Sequence, residues 1–185
     1  MDRRDFCSVM PLLLAGCGGS MEYQIQPSPV QRTGKSIFET GVQGTWLPEL
    51  SFANPGDLSV TYFIREGNFV RFGEWVYVNF YIHTGSFTYS TASAFLLIDG
   101  LPYVVKDVNL TATDQLAPGS LVFQGITKAN YTQFAPMIDN ADVRRFSFRA
   151  SGSGQTMDTL DVGDVPSGGT VILGGSLWYR GKDIS

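Results

Sequence analysis

Residues 75–82 read WVYVNFYI. Trp75, Tyr77, Asn79 and Tyr81 fall at odd positions, and Val76, Val78, Phe80 and Ile82 at even ones. Side chains of a β-strand alternate between two faces, so this period of two predicts a strand with one mixed aromatic face and one wholly apolar face. The apolar set, Val76 to Ile82, is the expected core face. Aromatic and β-branched residues also fit a pleated, half-buried surface better than a helix.

The same punctuation extends in both directions. Upstream, Gly73-Glu74 ends a segment in which Leu58–Ile64 and Asn68–Phe72 flank Arg65-Glu66-Gly67, read as a tight loop. Asn54-Pro55-Gly56-Asp57 is a turn, and Thr45, Leu47, Leu50 and Phe52 around Pro48 suit an edge strand. Downstream, Ala94–Ile98 stops at Asp99-Gly100, and further strands are expected at Val104–Leu110, Ser120–Ile126, Arg144–Ala150 and Thr170–Trp178. Ser151-Gly152-Ser153-Gly154 opens a polar stretch that runs through Gly168-Gly169. No segment keeps a helical period. Many short strands between turn signals predict an all-β fold, an antiparallel β-sandwich or jelly roll over residues 44–185. Residues 1–43 read as an extended N-terminal arm: a signal-like stretch, 1–20, and an irregular connector, 21–43, whose clearest apolar pair is Ile37-Phe38.

Composition agrees. The 185 residues include 21 Gly, 13 Phe, 8 Tyr and 3 Trp, with 16% charged. A net charge of −4, with only Arg3-Arg4 and Arg144-Arg145 as adjacent basic pairs, argues against nucleic acid as a partner. Both cysteines, Cys7 and Cys17, precede the strand-rich region, which therefore has neither a disulfide framework nor a cysteine metal site. No apolar run reaches the roughly 18 to 20 residues of a membrane span.

The opening MDRRDFCSVMPLLLAGCGGS has two readings. Arg3-Arg4, an apolar run and Leu14-Ala15-Gly16-Cys17 match a lipoprotein export signal, with Cys17 as the lipid acceptor. Alternatively the stretch is a retained assembly arm that packs Val9, Met10, Leu12, Leu13 and Leu14 on a neighbouring subunit. Both stay open at this point.

Chemistry-bearing patterns are sparse. His83 is the sole histidine, expected just past the long strand, and no serine sits in a G-x-S-x-G elbow. Asp158, Asp161 and Asp164 recur every third residue, but Leu160, Val162 and Gly169 stand where a calcium loop needs oxygen donors, so solvated loop carboxylates are expected. Glu66, Glu74, Asp99 and Asp107 are acids that nothing in the sequence brings into a glycosidase pair. The glycine-rich loops precede no helix and so form no phosphate cradle. The expectation is a non-enzyme without metal or cofactor. The aromatic residues remain: Tyr77, Tyr81, Phe87 and Tyr89 are expected on one exposed face, suited to a protein interface or a sugar, with Trp75, Tyr77 and Tyr81 as interface candidates.

Gly44-Thr45-Trp46-Leu47-Pro48-Glu49-Leu50-Ser51-Phe52 resembles the GTW-x-P opening of a β-sandwich module found in bacteriophage virion proteins. Tyr62, Gly67-Asn68-Phe69, Arg71, Gly73, Val76, Val78 and Ile82 match the stretch that follows in that module. Gly100-Leu101-Pro102-Tyr103 and Gly175-Ser176-Leu177-Trp178-Tyr179-Arg180 match its later elements, in order, over residues 44–181. The resemblance implies a structural or receptor-binding role without a shared catalytic site. With a short arm and one module, it implies a homotrimeric capsid cement or decoration protein that contacts the major capsid protein or other virion proteins on the capsid exterior. The alternatives are a tail-fibre tip that recognises a host surface glycan and a bacterial envelope lipoprotein anchored at Cys17.

Overall fold

The computed structural model describes residues 41–107, 119–138 and 143–182, all within the unit Lys35–Ser185. The strands are β1 (Val42–Trp46), β2 (Glu49–Asn54), β3 (Ser59–Phe72), β4 (Trp75–Thr88), β5 (Ser93–Asp99), β6 (Gly119–Gln124), β7 (Gln133–Met137), β8 (Arg145–Ser151), β9 (Asp158–Thr159) and β10 (Ile172–Arg180). One short 3₁₀ turn, Val162–Asp164, is the only helical element among the described residues. The strands form two antiparallel sheets, ordered β1-β3-β4-β10-β6 and β2-β5-β8-β7, with β9 paired to β8. The fold is an all-β sandwich.

The core lies between the sheets. Val76, Val78, Phe80 and Ile82 are buried, as the alternation requires, against Leu96, Ile98, Phe146 and Phe148 of the second sheet. Phe80 meets Phe146 with ring centroids 5.3 Å apart. Gly73, at φ +58°, takes the first central position of the two-residue turn between Phe72 and Trp75, where a II′ hairpin needs a glycine.

Several expectations are corrected. Arg65-Glu66-Gly67 is not a loop: β3 runs unbroken through it, and the three residues pair with Ile82, Tyr81 and Phe80. Gly67 serves packing instead, because the Trp46 indole covers it. Of the strand expected at Val104–Leu110, the described residues 104–107 form none: Val105 makes a single bridge to Gly181, and residues 108–110 lie outside the described residues. β7 was hidden by Pro136, yet β7 ends its sheet, where a missing N–H is tolerated. Two β-bulges, between Val60 and Tyr62 and between Tyr62 and Ile64, shift the β3–β4 register. Thr84 and Gly85 are then both buried, the alternation reverses, and Phe87 points inward with no exposed surface. Phe87 is therefore core and not part of an exposed aromatic face. Tyr89 is part-buried, and its hydroxyl reaches the carbonyls of Val162 and Val165 at 2.8 and 2.7 Å.

Candidate binding face

The outer face of the first sheet is built by register. Gln43, Val70, Tyr77 and Trp178 stand side by side across β1, β3, β4 and β10. Tyr77 and Trp178 pack as tilted rings 5.0 Å apart. Gly41, Gln43, Val70, Phe72, Tyr77 and Trp178 line a shallow groove of about 430 Å³. The next row, Thr45, Asn68, Asn79, Ser176 and Ser120, is polar and uncharged. Asn79 Oδ1 accepts from the Asn68 backbone N–H at 2.9 Å, and the Ser120 and Ser176 hydroxyls lie 3.5 Å apart.

Of the sequence-derived interface residues, Trp75 (53% exposed), Tyr77 and Tyr81 (36% exposed) share this face. The Tyr81 ring lies over Gly174, where a Cβ would come within 3.2 Å of it. Val9, Met10, Leu12, Leu13, Leu14 and Cys17 lie outside the described residues. Trp178, Gln43 and Val70 were missed. Trp178 closes a strand segment in the sequence, but only its pairing with Tyr77 shows its place.

The two ends of the face differ. At the β3–β4 turn, the Glu74 carboxylate is held by Lys106 and Arg180, whose hydrogen bonds bring its pKa down to about 2. The Arg180 guanidinium lies 5.9 Å from the Trp75 ring centre. At the far end Phe63 is 72% exposed and meets His83 edge-on at 5.2 Å. Ile64 is also open to solvent there, and Val122 (75% exposed) is open in the adjoining row, with Tyr81 and Gly174. His83 thus sits inside β4, between Ile64 and Ile172, and not past its end.

The remaining acids are arranged by partners that the sequence could not show. Lys128 Nζ lies 3.1, 3.7 and 2.9 Å from carboxylate oxygens of Asp158, Asp161 and Asp164. Desolvation pulls the Lys128 pKa down, but the hydrogen bonds it donates to Asp164 and Asp158 outweigh it and hold it at about 12. Among the described residues no group of three His, Cys, Asp or Glu is placed to hold a metal ion. Asp99 pairs in register with Glu49. Burial raises the Asp99 pKa, Arg145 opposes that rise and Glu49 adds to it. Glu49 itself bonds Arg65 at 2.7 Å. Neither carboxylate lines the groove.

No protein-family model matches the chain, and no curated protein matches it. Among solved structures it is similar to the Dettilon tailspike protein, at 17% sequence identity with a TM-score of 0.49. The match covers 76% of this chain and 24% of that one, so the chain spans about a quarter of the tailspike's length.

Proposed function

We propose that the chain is a non-catalytic structural protein of a phage virion, a homotrimeric cement protein seated on the capsid exterior. The observation that carries the reading is the far half of the outer face, where Phe63 and Ile64, and Val122 in the adjoining row of Tyr81 and Gly174, leave large apolar side chains in water. Exposed apolar groups clustered on one face favour a protein partner. The ordered motifs of residues 44–181 support a virion setting, and Trp46, the aromatic residue of the first motif, is a buried anchor of the sandwich. Light scattering should give a trimer mass for the full chain. Purified chain added to capsids and to tails of a phage that encodes it should label the capsids. Labelling confined to tail tips would move the assignment to a tail-fibre role, and a stable monomer that labels neither would end the reading.

A further inference from the structure

We propose that the two adjoining rows at the near end of the outer face form a binding site for a neutral oligosaccharide. One row supplies ring faces, Tyr77 and Trp178, beside the Val70 side chain and the Gln43 amide. The next supplies Thr45, Asn68, Asn79 and Ser176, all amides or hydroxyls. A pyranose ring has this same division. Its C–H groups carry slight positive charge and meet the negative face of an aromatic ring. Its hydroxyls need groups that both donate and accept, which amides and hydroxyls do.

The charge pattern selects the occupant. None of the six groove-lining residues is charged. Of the cations around these rows, Lys106 and Arg180 are held on Glu74, Arg180 also lies against Trp75, and buried Arg71 bonds the Gly73 carbonyl and lies over the Tyr103 ring. An anionic ligand would find no dedicated partner along the rows. A second copy of the chain would need apolar surface but not the amide row, and the exposed Phe63 and Ile64 lie at the opposite end, beside His83. The groove, at about 430 Å³, falls within the roughly 300 to 1,000 Å³ of small-molecule sites. Strands about 4.8 Å apart spread each row over several spacings, enough for more than one sugar ring. This inference depends on the near end alone, so it stands or falls separately from the capsid reading.

The test is titration of the full chain with maltohexaose, cellohexaose and chitohexaose, followed by the indole N–H resonances of Trp46, Trp75 and Trp178. At least one sugar should move the Trp178 signal saturably, with Kd below about 1 mM, while buried Trp46 stays still. Trp178→Ala should weaken binding at least ~10-fold, as loss of a central aromatic contact does. Gln43→Glu, which leaves the rings and the fold in place, should weaken it several-fold. Phe63→Ser, at the far end, should leave it unchanged. Absence of a saturable Trp178 shift with all three sugars would overturn the proposal. So would tighter binding of a sulfated hexasaccharide, Trp178-dependent self-association, or acrylamide quenching of Trp178 that rises when the segment before Gly41 is removed.

Discussion

Trp46 closes over Gly67. The indole Nε1 donates to the Asn79 carbonyl at 3.0 Å, and a Cβ placed on Gly67 would lie 2.3 Å from that nitrogen and 2.8 Å from the Asn79 oxygen. One glycine hydrogen therefore allows β1 to lay its only tryptophan across β3 and bond to β4. Gly67→Ala must push the indole away, and overpacking of this kind costs about 1 to 3 kcal/mol. Gly163, with nothing within 4 Å of its would-be Cβ, is the control: Gly163→Ala should stay within about 0.5 kcal/mol. Urea denaturation of both variants measures the difference.

The two faces of β4 should respond differently to truncation. Val78 has no exposed surface, whereas Trp75 is about half exposed. Val78→Ala should cost about 1 to 3 kcal/mol, as core truncations do, and Trp75→Ala less than half as much. A larger loss for Trp75→Ala in the same denaturation experiment would mean that the faces are exchanged.

Tyr179 ties the last strand to the segment after β5. Its hydroxyl accepts from the Tyr103 backbone N–H at 3.1 Å and lies 3.2 Å from the Tyr103 carbonyl, to which it donates. Burial pushes its pKa well above the ordinary phenol value. Tyr179→Phe removes the hydroxyl and strands a buried N–H, which should cost about 1 to 3 kcal/mol. Thermal unfolding reads the loss directly.

Asp57 fastens the turn after β2 to the loop after β4. Its carboxylate accepts from the Ser90 N–H and Oγ and from the Thr91 N–H and Oγ1, at 2.6 to 2.8 Å. The bonds from Ser90, then those from Thr91, hold its pKa well below 3.8. A carboxyl depressed on folding binds fewer protons folded than unfolded, so its contribution is present above pH 3.8 and is lost as pH falls through the folded value. Asp57→Asn should lower the melting temperature at pH 7, and the gap to the natural chain should narrow below pH 4.

Lys128 should give a stability window bounded on both sides. Its pKa rises from 10.5 to about 12 on folding, so its contribution is full below 10.5 and is lost as pH climbs through 12. Asp158 is lowered from 3.8, first by its hydrogen bond with Lys128, so its contribution disappears as pH falls through its folded value. Lys128→Met should therefore destabilise the chain most between pH 4 and 10, with the difference shrinking outside that range. A difference that does not vary with pH would show that the ammonium acts only through its packing.

The strand β4 and its inner face were legible in the sequence because alternation is local: Val76 to Ile82 carry their own period. β5, β6, β8 and β10 were visible for the same reason, from apolar runs bounded by turn residues. The first strand was expected from Gly44, and β1 begins at Val42, two residues earlier.

Tertiary structure decided the rest, and the reason is register. A glycine at position 67 looks like a turn until Trp46, from another strand, is seen to cover it. Phe87 has the parity of Tyr81, yet bulges on the β3–β4 ladder turn it inward. Asp158, Asp161 and Asp164 resemble free loop acids until Lys128, on a separate segment, is set among them. On the outer face of the first sheet, alternation placed Trp75, Tyr77 and Tyr81 together. It could not supply Trp178, Val70 or Gln43, because the hydrogen bonds that align β1, β3, β4 and β10 join residues far apart in the chain, and no local pattern records which residue will stand opposite which.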